Sequence, residues 1–141
     1  MSFRIARKLV WNVPFNGLSI LAGGIDTAAI LQDEDLRRTT LGLMNEVIEI
    51  ANRCGYPLEL AAGGQEMKRT EKMAAYKPST LLDWEAGRPL EIEPILGEPR
   101  RRPVTVGANV PGLEVVYTLL KSLGEAKRGE KSAAKIATHS S

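Results

Sequence analysis

The sequence predicts an all-α protein: one helical domain over residues 1–123 and a basic tail over 124–141. Three observations carry this. Residues 34–54 show a long helical periodicity, Leu36, Leu43, Met44, Val47, Ala51 and Cys54 recurring at spacings of three, four and seven. Pro and Gly punctuate the remainder into short segments that each open or close like a helix. Strand-like alternation is confined to a weak run at Val104–Val106. A chain of 141 residues, 43% apolar and 26% charged, suits a single domain with a real core.

The first segment needs separating from a secretory signal. Arg4, Arg7 and Lys8 precede an uncharged run from Leu9 to Ile25. Asn12, Pro14 and Asn16 interrupt that run, which is also short for a membrane span, so a buried helix is the better reading. Pro14 cannot donate to the Val10 carbonyl, which predicts a kink or an early end near Asn16-Gly17. For residues 34–54, Asp33 is a good N-cap, Glu34 and Asp35 favour the positive end of the dipole, and Gly55 is the stop. Gln65–Ala75 reads as a helix ended by Tyr76-Lys77-Pro78. Ser79 or Thr80 can cap a short helix through Glu85, closed by Gly87 and Pro89. Another helix starts at Leu90 and runs to about Leu96, with Pro94 tolerable in its first turn. Residues 98–103, Glu-Pro-Arg-Arg-Arg-Pro, are hard to continue as helix. Gly112–Leu123 is amphipathic through Leu113, Val116, Leu119 and Leu120. From Gly124 the chain turns to Lys, Ala, Ser and Gly with Ile136 as the one large apolar residue, which predicts disorder.

Composition excludes several chemistries. The net charge is +2, but residues 1–120 carry 14 basic and 15 acidic groups, so the body lacks the basic surface of a nucleic-acid binder. A single cysteine, Cys54, forbids an internal disulfide and fits a reducing, cytoplasmic setting. With His139 the only histidine, structural zinc and His-dependent nucleophilic catalysis are both set aside. No two of the 13 glycines stand two apart, so the chain has no Gly-x-Gly dinucleotide loop, and it has no phosphate loop.

The chemistry-bearing pattern is a polar stripe. Lys8, Asn12 and Asn16 stand at i, i+4 and i+8 on one helix face, while Leu9, Val10, Trp11, Val13 and Phe15 cover the rest. One cation and two amides suit the lining of a small polar ligand site. They equally suit a snorkelling lysine and amides that satisfy neighbouring helix ends. Ser79 and Glu91 also have ordinary roles as a cap and a first-turn acid.

Three ordered stretches resemble the C-terminal domain of ketopantoate reductase (2-dehydropantoate 2-reductase). They are residues 8–19, KLVWNVPFNGLS; residues 76–83, YKPSTLLD; and residues 87–97, GRPLEIEPILG, with residues 113–121, LEVVYTLLK, like that domain's last helix. The resemblance runs in register from Lys8 to Leu123. It implies the all-helical domain of ketopantoate reductases and 6-phosphogluconate dehydrogenase-like reductases, which follows a Rossmann domain that binds NADPH. By position, Lys8 matches the general acid that protonates the forming alkoxide. Asn12 and Asn16 match amides on the substrate hydroxyl and the cofactor side, and Ser79 a ligand of the substrate carboxylate. Glu91 matches the acid that holds the substrate hydroxyl and the lysine. An ammonium both donates a proton and stabilises negative charge, and a nearby carboxylate favours its protonated form.

Only seven residues precede Lys8, so the expectation is a substrate-binding half without its Rossmann domain, inactive alone. It would be an isolated half, one chain of a split enzyme, or a decayed reading frame. Expected partners are a small 2-oxo acid, a Rossmann-domain chain and a second copy in a homodimer, with no metal, nucleic acid or membrane. Pro103 stands where relatives are helical. The competing expectation is a non-catalytic helical dimerisation or interaction module that retains the fold.

Overall fold

A computed structural model describes residues 3–90 and 108–139, with side chains described for residues 4–90 and 108–126. Every regular element among the described residues is a helix. In order they are α1 (Phe3–Leu21), α2 (Thr27–Gln32), α3 (Glu34–Arg53), α4 (Ala62–Glu71), α5 (Ser79–Glu85) and α6 (Pro111–His139). The fold is all-α, as the sequence predicts. The segments expected around Leu90–Leu96, residues 98–103 with Pro103, and Val104–Val106 lie wholly or mostly outside the described residues.

Helix α1 is the hub, packing against each of the other five helices. Val10, Val13, Phe15, Leu18 and Ile20 are buried on it, together with Pro14, Asn16 and Gly17. The early end predicted near Asn16-Gly17 does not occur, because α1 continues through Pro14 to Leu21. Packing holds the last turn in place. Gly17 lies so close to α6 that an added Cβ would meet Val116 Cγ1 at 2.9 Å, and Leu18 and Ile20 are in the core. The stop comes at Gly23 and Gly24, at φ 103° and 85°, whose N–H groups bond to Ile20 O and Ser19 O. Only glycine adopts such angles without strain.

Helix α3 matches its sequence signals closely. Asp33 Oδ1 accepts from the Leu36 N–H at 2.9 Å, Cys54 is the C-cap and Gly55 turns the chain at φ 87°. Leu43, Met44, Val47, Ile48, Ile50 and Ala51 are buried. Helix α4 starts and ends earlier than the predicted Gln65–Ala75. Gly63 packs against Leu41 and Met44 of α3, which fixes the start, and the chain then leaves to bond with α2 through Tyr76. Glu66 ties α4 to α1, with the Arg7 Nε at 3.3 Å and the Arg69 Nε at 3.0 Å. Trp11 Nε1 donates to Thr70 Oγ1 at 2.9 Å.

The last helix is longer than predicted, running past Leu123 to His139 through the stretch expected to be disordered. Ala, Lys and Glu are strong helix formers, and extending a helix already nucleated by Leu113, Val116 and Leu120 needs no new nucleus. Its first turn is capped from outside the helix. Glu46 of α3 accepts from the Gly112 N–H at 2.9 Å and the Leu113 N–H at 3.0 Å. Gly112 leaves room for that carboxylate, since a Cβ there would meet Glu46 Oε2 at 2.6 Å.

Burial pushes the Glu46 carboxyl above its ordinary 4.5; the two backbone N–H bonds act against this and nearby Glu49 adds to it. A raised folded-state value means the folded protein holds the proton more tightly than the unfolded chain. The associated stability is complete below the ordinary value and is lost as pH rises through the raised one. Against Glu46→Gln, the native chain is therefore expected to lose relative melting temperature as pH rises from about 4.5 upward. A relative gain over that range would contradict the assignment.

Candidate functional site

Lys8, Asn12 and Asn16 lie on one face of α1 and grade from solvent to core. Lys8 is exposed, Asn12 half-buried and Asn16 only 5% exposed. This gradient follows the burial of α1: Arg4, Ile5 and Lys8 are exposed near its start, while every residue from Val13 to Ile20 is buried. The cation stays hydrated while the amides line the descent.

Asn16 is anchored at both ends of its amide. Its Nδ2 donates to the Asn12 carbonyl at 2.8 Å, and its Oδ1 accepts from the Thr80 N–H at 3.3 Å. One N–H and one oxygen lone pair remain for another partner. The Thr80 bond brings the start of α5, and with it Ser79, to the inner end of the stripe. Ser79 itself is exposed and does not cap α5 as predicted. Pro78 is the N-cap and supplies no side-chain cap, and the first-turn Thr80 N–H is met by Asn16 from across the bundle. The serine hydroxyl is thereby released from the usual capping bond.

The structure thus joins Asn12, Asn16 and the Ser79 segment, with Lys8 two turns up the same face. Glu91 lies outside the described residues. An aromatic group flanks the stripe: Trp11 stacks on Phe15 at 4.9 Å between centroids, and Tyr76 is tilted against Trp11 at 6.1 Å. A cation, two amides and a hydroxyl beside an aromatic wall can orient a small organic anion and protonate an oxygen on it. Among the described residues no group of His, Cys, Asp and Glu could hold a metal ion, and no helix is long and apolar enough to cross a membrane.

Thr27, buried at the start of α2, escaped the sequence reading. It exchanges two hydrogen bonds with Tyr76: the Thr27 N–H donates to Tyr76 O at 2.9 Å, and the Tyr76 N–H to Thr27 Oγ1 at 3.2 Å. Asp26 ahead of Thr-Ala-Ala-Ile is a cap signal that could have located α2, and Asp26 Oδ1 does accept from the Ala29 N–H. The pairing with Tyr76, 49 residues away, has no local signature.

Comparison with known proteins identifies the family. Residues 3–124 match the family model described as "Ketopantoate reductase PanE/ApbA C terminal". A 2-dehydropantoate 2-reductase from Nostoc sp. is 35% identical over 117 residues, which cover 83% of this chain and 36% of that protein. The crystal structure of 2-dehydropantoate 2-reductase from Methylococcus capsulatus superposes with a TM-score of 0.84 at 38% identity, covering 89% of this chain and 43% of that one. The Geobacter metallireducens GS-15 enzyme gives 0.80 at 37% identity, covering 84% and 40%. The chain therefore spans about a third of the length of the curated relative, 36%. With the family model covering most of its length and its helices superposing on those enzymes, the chain belongs to the ketopantoate reductase C-terminal domain family.

Proposed function

We propose that this chain supplies the substrate-binding and proton-donating half of an NADPH-dependent 2-dehydropantoate 2-reductase that converts ketopantoate to pantoate. The observation that carries this is the convergence on one α1 face of Lys8, Asn12 and Asn16 with the Ser79 segment docked at its inner end. Ketopantoate presents a carboxylate, a ketone and a hydroxyl, and each has a matching group here. The Ser79 hydroxyl donates to the carboxylate. The Asn12 amide, with the remaining N–H of Asn16, addresses the substrate hydroxyl and the cofactor side. Lys8 donates its proton to the C2 oxygen as negative charge develops there, and Glu91 holds the lysine and the substrate hydroxyl. NADPH, when bound, supplies the hydride to C2.

The chain has no Gly-x-Gly turn with which to cradle a pyrophosphate, so its residues do not fit as the cofactor's holder. A Rossmann domain fulfils that role in the proposal. The test is ketopantoate-dependent oxidation of NADPH, followed by absorbance, for the chain alone and for the chain joined to the dinucleotide-binding domain of a relative. Turnover by the joined protein alone is the expected result. Turnover by the isolated chain, or none by a folded joined protein, would refute the proposal.

A further inference from the structure

We infer that Thr27 is a positioning residue for Ser79, acting with Asn16 to hold residues 76–80 as a two-pin mount for the substrate-carboxylate ligand. This rests on the proposed function, because it assumes that Ser79 meets the substrate. The segment between α4 and α5 has no regular structure of its own, yet the stretch from Tyr76 to Thr80 that leads into α5 is fixed at both ends by buried polar side chains. At its start, Thr27 is 1% exposed and closes a reciprocal pair of bonds with the Tyr76 backbone, at 2.9 and 3.2 Å. At its end, Asn16 accepts from the Thr80 N–H at 3.3 Å.

Between the pins, two further features remove freedom. Pro78 is buried with φ at −58°, and a proline also restricts the residue before it to extended backbone. Lys77 folds onto α5, with its Nζ at 3.1 and 3.0 Å from the Glu85 carboxylate oxygens. Ser79 is the exposed residue next to the Asn16 pin and one past Pro78. A hydroxyl on a segment restrained in this way keeps its place before the ligand arrives, and preorganisation of this kind appears as affinity. Both pins belong to helices that touch α1 or are α1, so the mount is referenced to the helix that carries Lys8 and Asn12.

Thr27→Val keeps the shape of the side chain and removes the acceptor for the Tyr76 N–H; Thr27→Ser keeps the acceptor. Ketopantoate is titrated into isotopically labelled native chain and each variant, and Kd is read from amide shifts, with melting temperature measured separately. The expectation is binding weakened about five- to tenfold in Thr27→Val and restored to within about twofold in Thr27→Ser. Equal Kd in a folded Thr27→Val overturns the inference and leaves the proposed function standing. No binding by the native chain overturns both. Should Thr27→Val fail to fold, hydrogen exchange of the native chain decides: protected Tyr76 and Thr80 amides support the mount, and fast exchange at both refutes it.

Discussion

In the chain joined to a dinucleotide-binding domain, Lys8→Ala is expected to lower kcat for ketopantoate reduction by about 10²–10⁴-fold, the usual contribution of a positioned general acid. The melting temperature should barely move, because Lys8 is exposed on α1 and its removal empties no part of the core. That combination, a large kinetic loss with the fold intact, separates a proton donor from a lysine that merely reaches water. A donor to the developing alkoxide acts in the transition state, so the loss should fall on kcat more than on KM. A decrease below about tenfold would assign Lys8 to the solvated face instead.

Phe15→Ala is expected to remove about 3–5 kcal/mol of stability, the range for emptying a buried aromatic position. Phe15 is completely buried at the centre of α1 and stacks on Trp11, whose indole N–H bonds to Thr70 of α4. Its loss therefore opens a cavity and loosens the helix contact that fixes the aromatic flank of the site. Typical domains hold about 5–15 kcal/mol in total, so the variant should be close to unfolding at physiological temperature. Denaturant titration followed by circular dichroism measures this, and a change below about 1 kcal/mol would place Phe15 outside the effective core.

Legibility of the fold in the sequence tracked how local the cause was. Helix α3 could be read almost to the residue, because Asp33, the apolar spacing and Gly55 all act within a turn of where they stand. The polar stripe of α1 was equally legible, since its three residues share a face on any regular helix. What escaped was set by distant partners. Pro14 signals a break, but burial of Leu18 and Ile20 and the contact of Gly17 with α6 override it. Ser79 reads as a cap, yet Asn16, 64 residues before Thr80, meets the N–H beside it. Glu46 caps a helix 66 residues further along. In the last helix, propensity extended what composition suggested would be disordered. The candidate site was thus visible as a set of residue types, while the bonds that bring Asn16 and the Ser79 segment together were not.

In the proposed function these helices hold a preformed half-site for a 2-oxo acid. The most direct measurement is an amide-resolved titration of the native chain with ketopantoate. Saturable shifts concentrated at Asn12, Asn16, Ser79 and Thr80, beside an unperturbed α3, are the predicted result. Shifts absent from those residues at saturating ligand, in a chain whose spectrum shows it folded, would rule out a preformed half-site and favour a helical module kept for its contacts with other proteins.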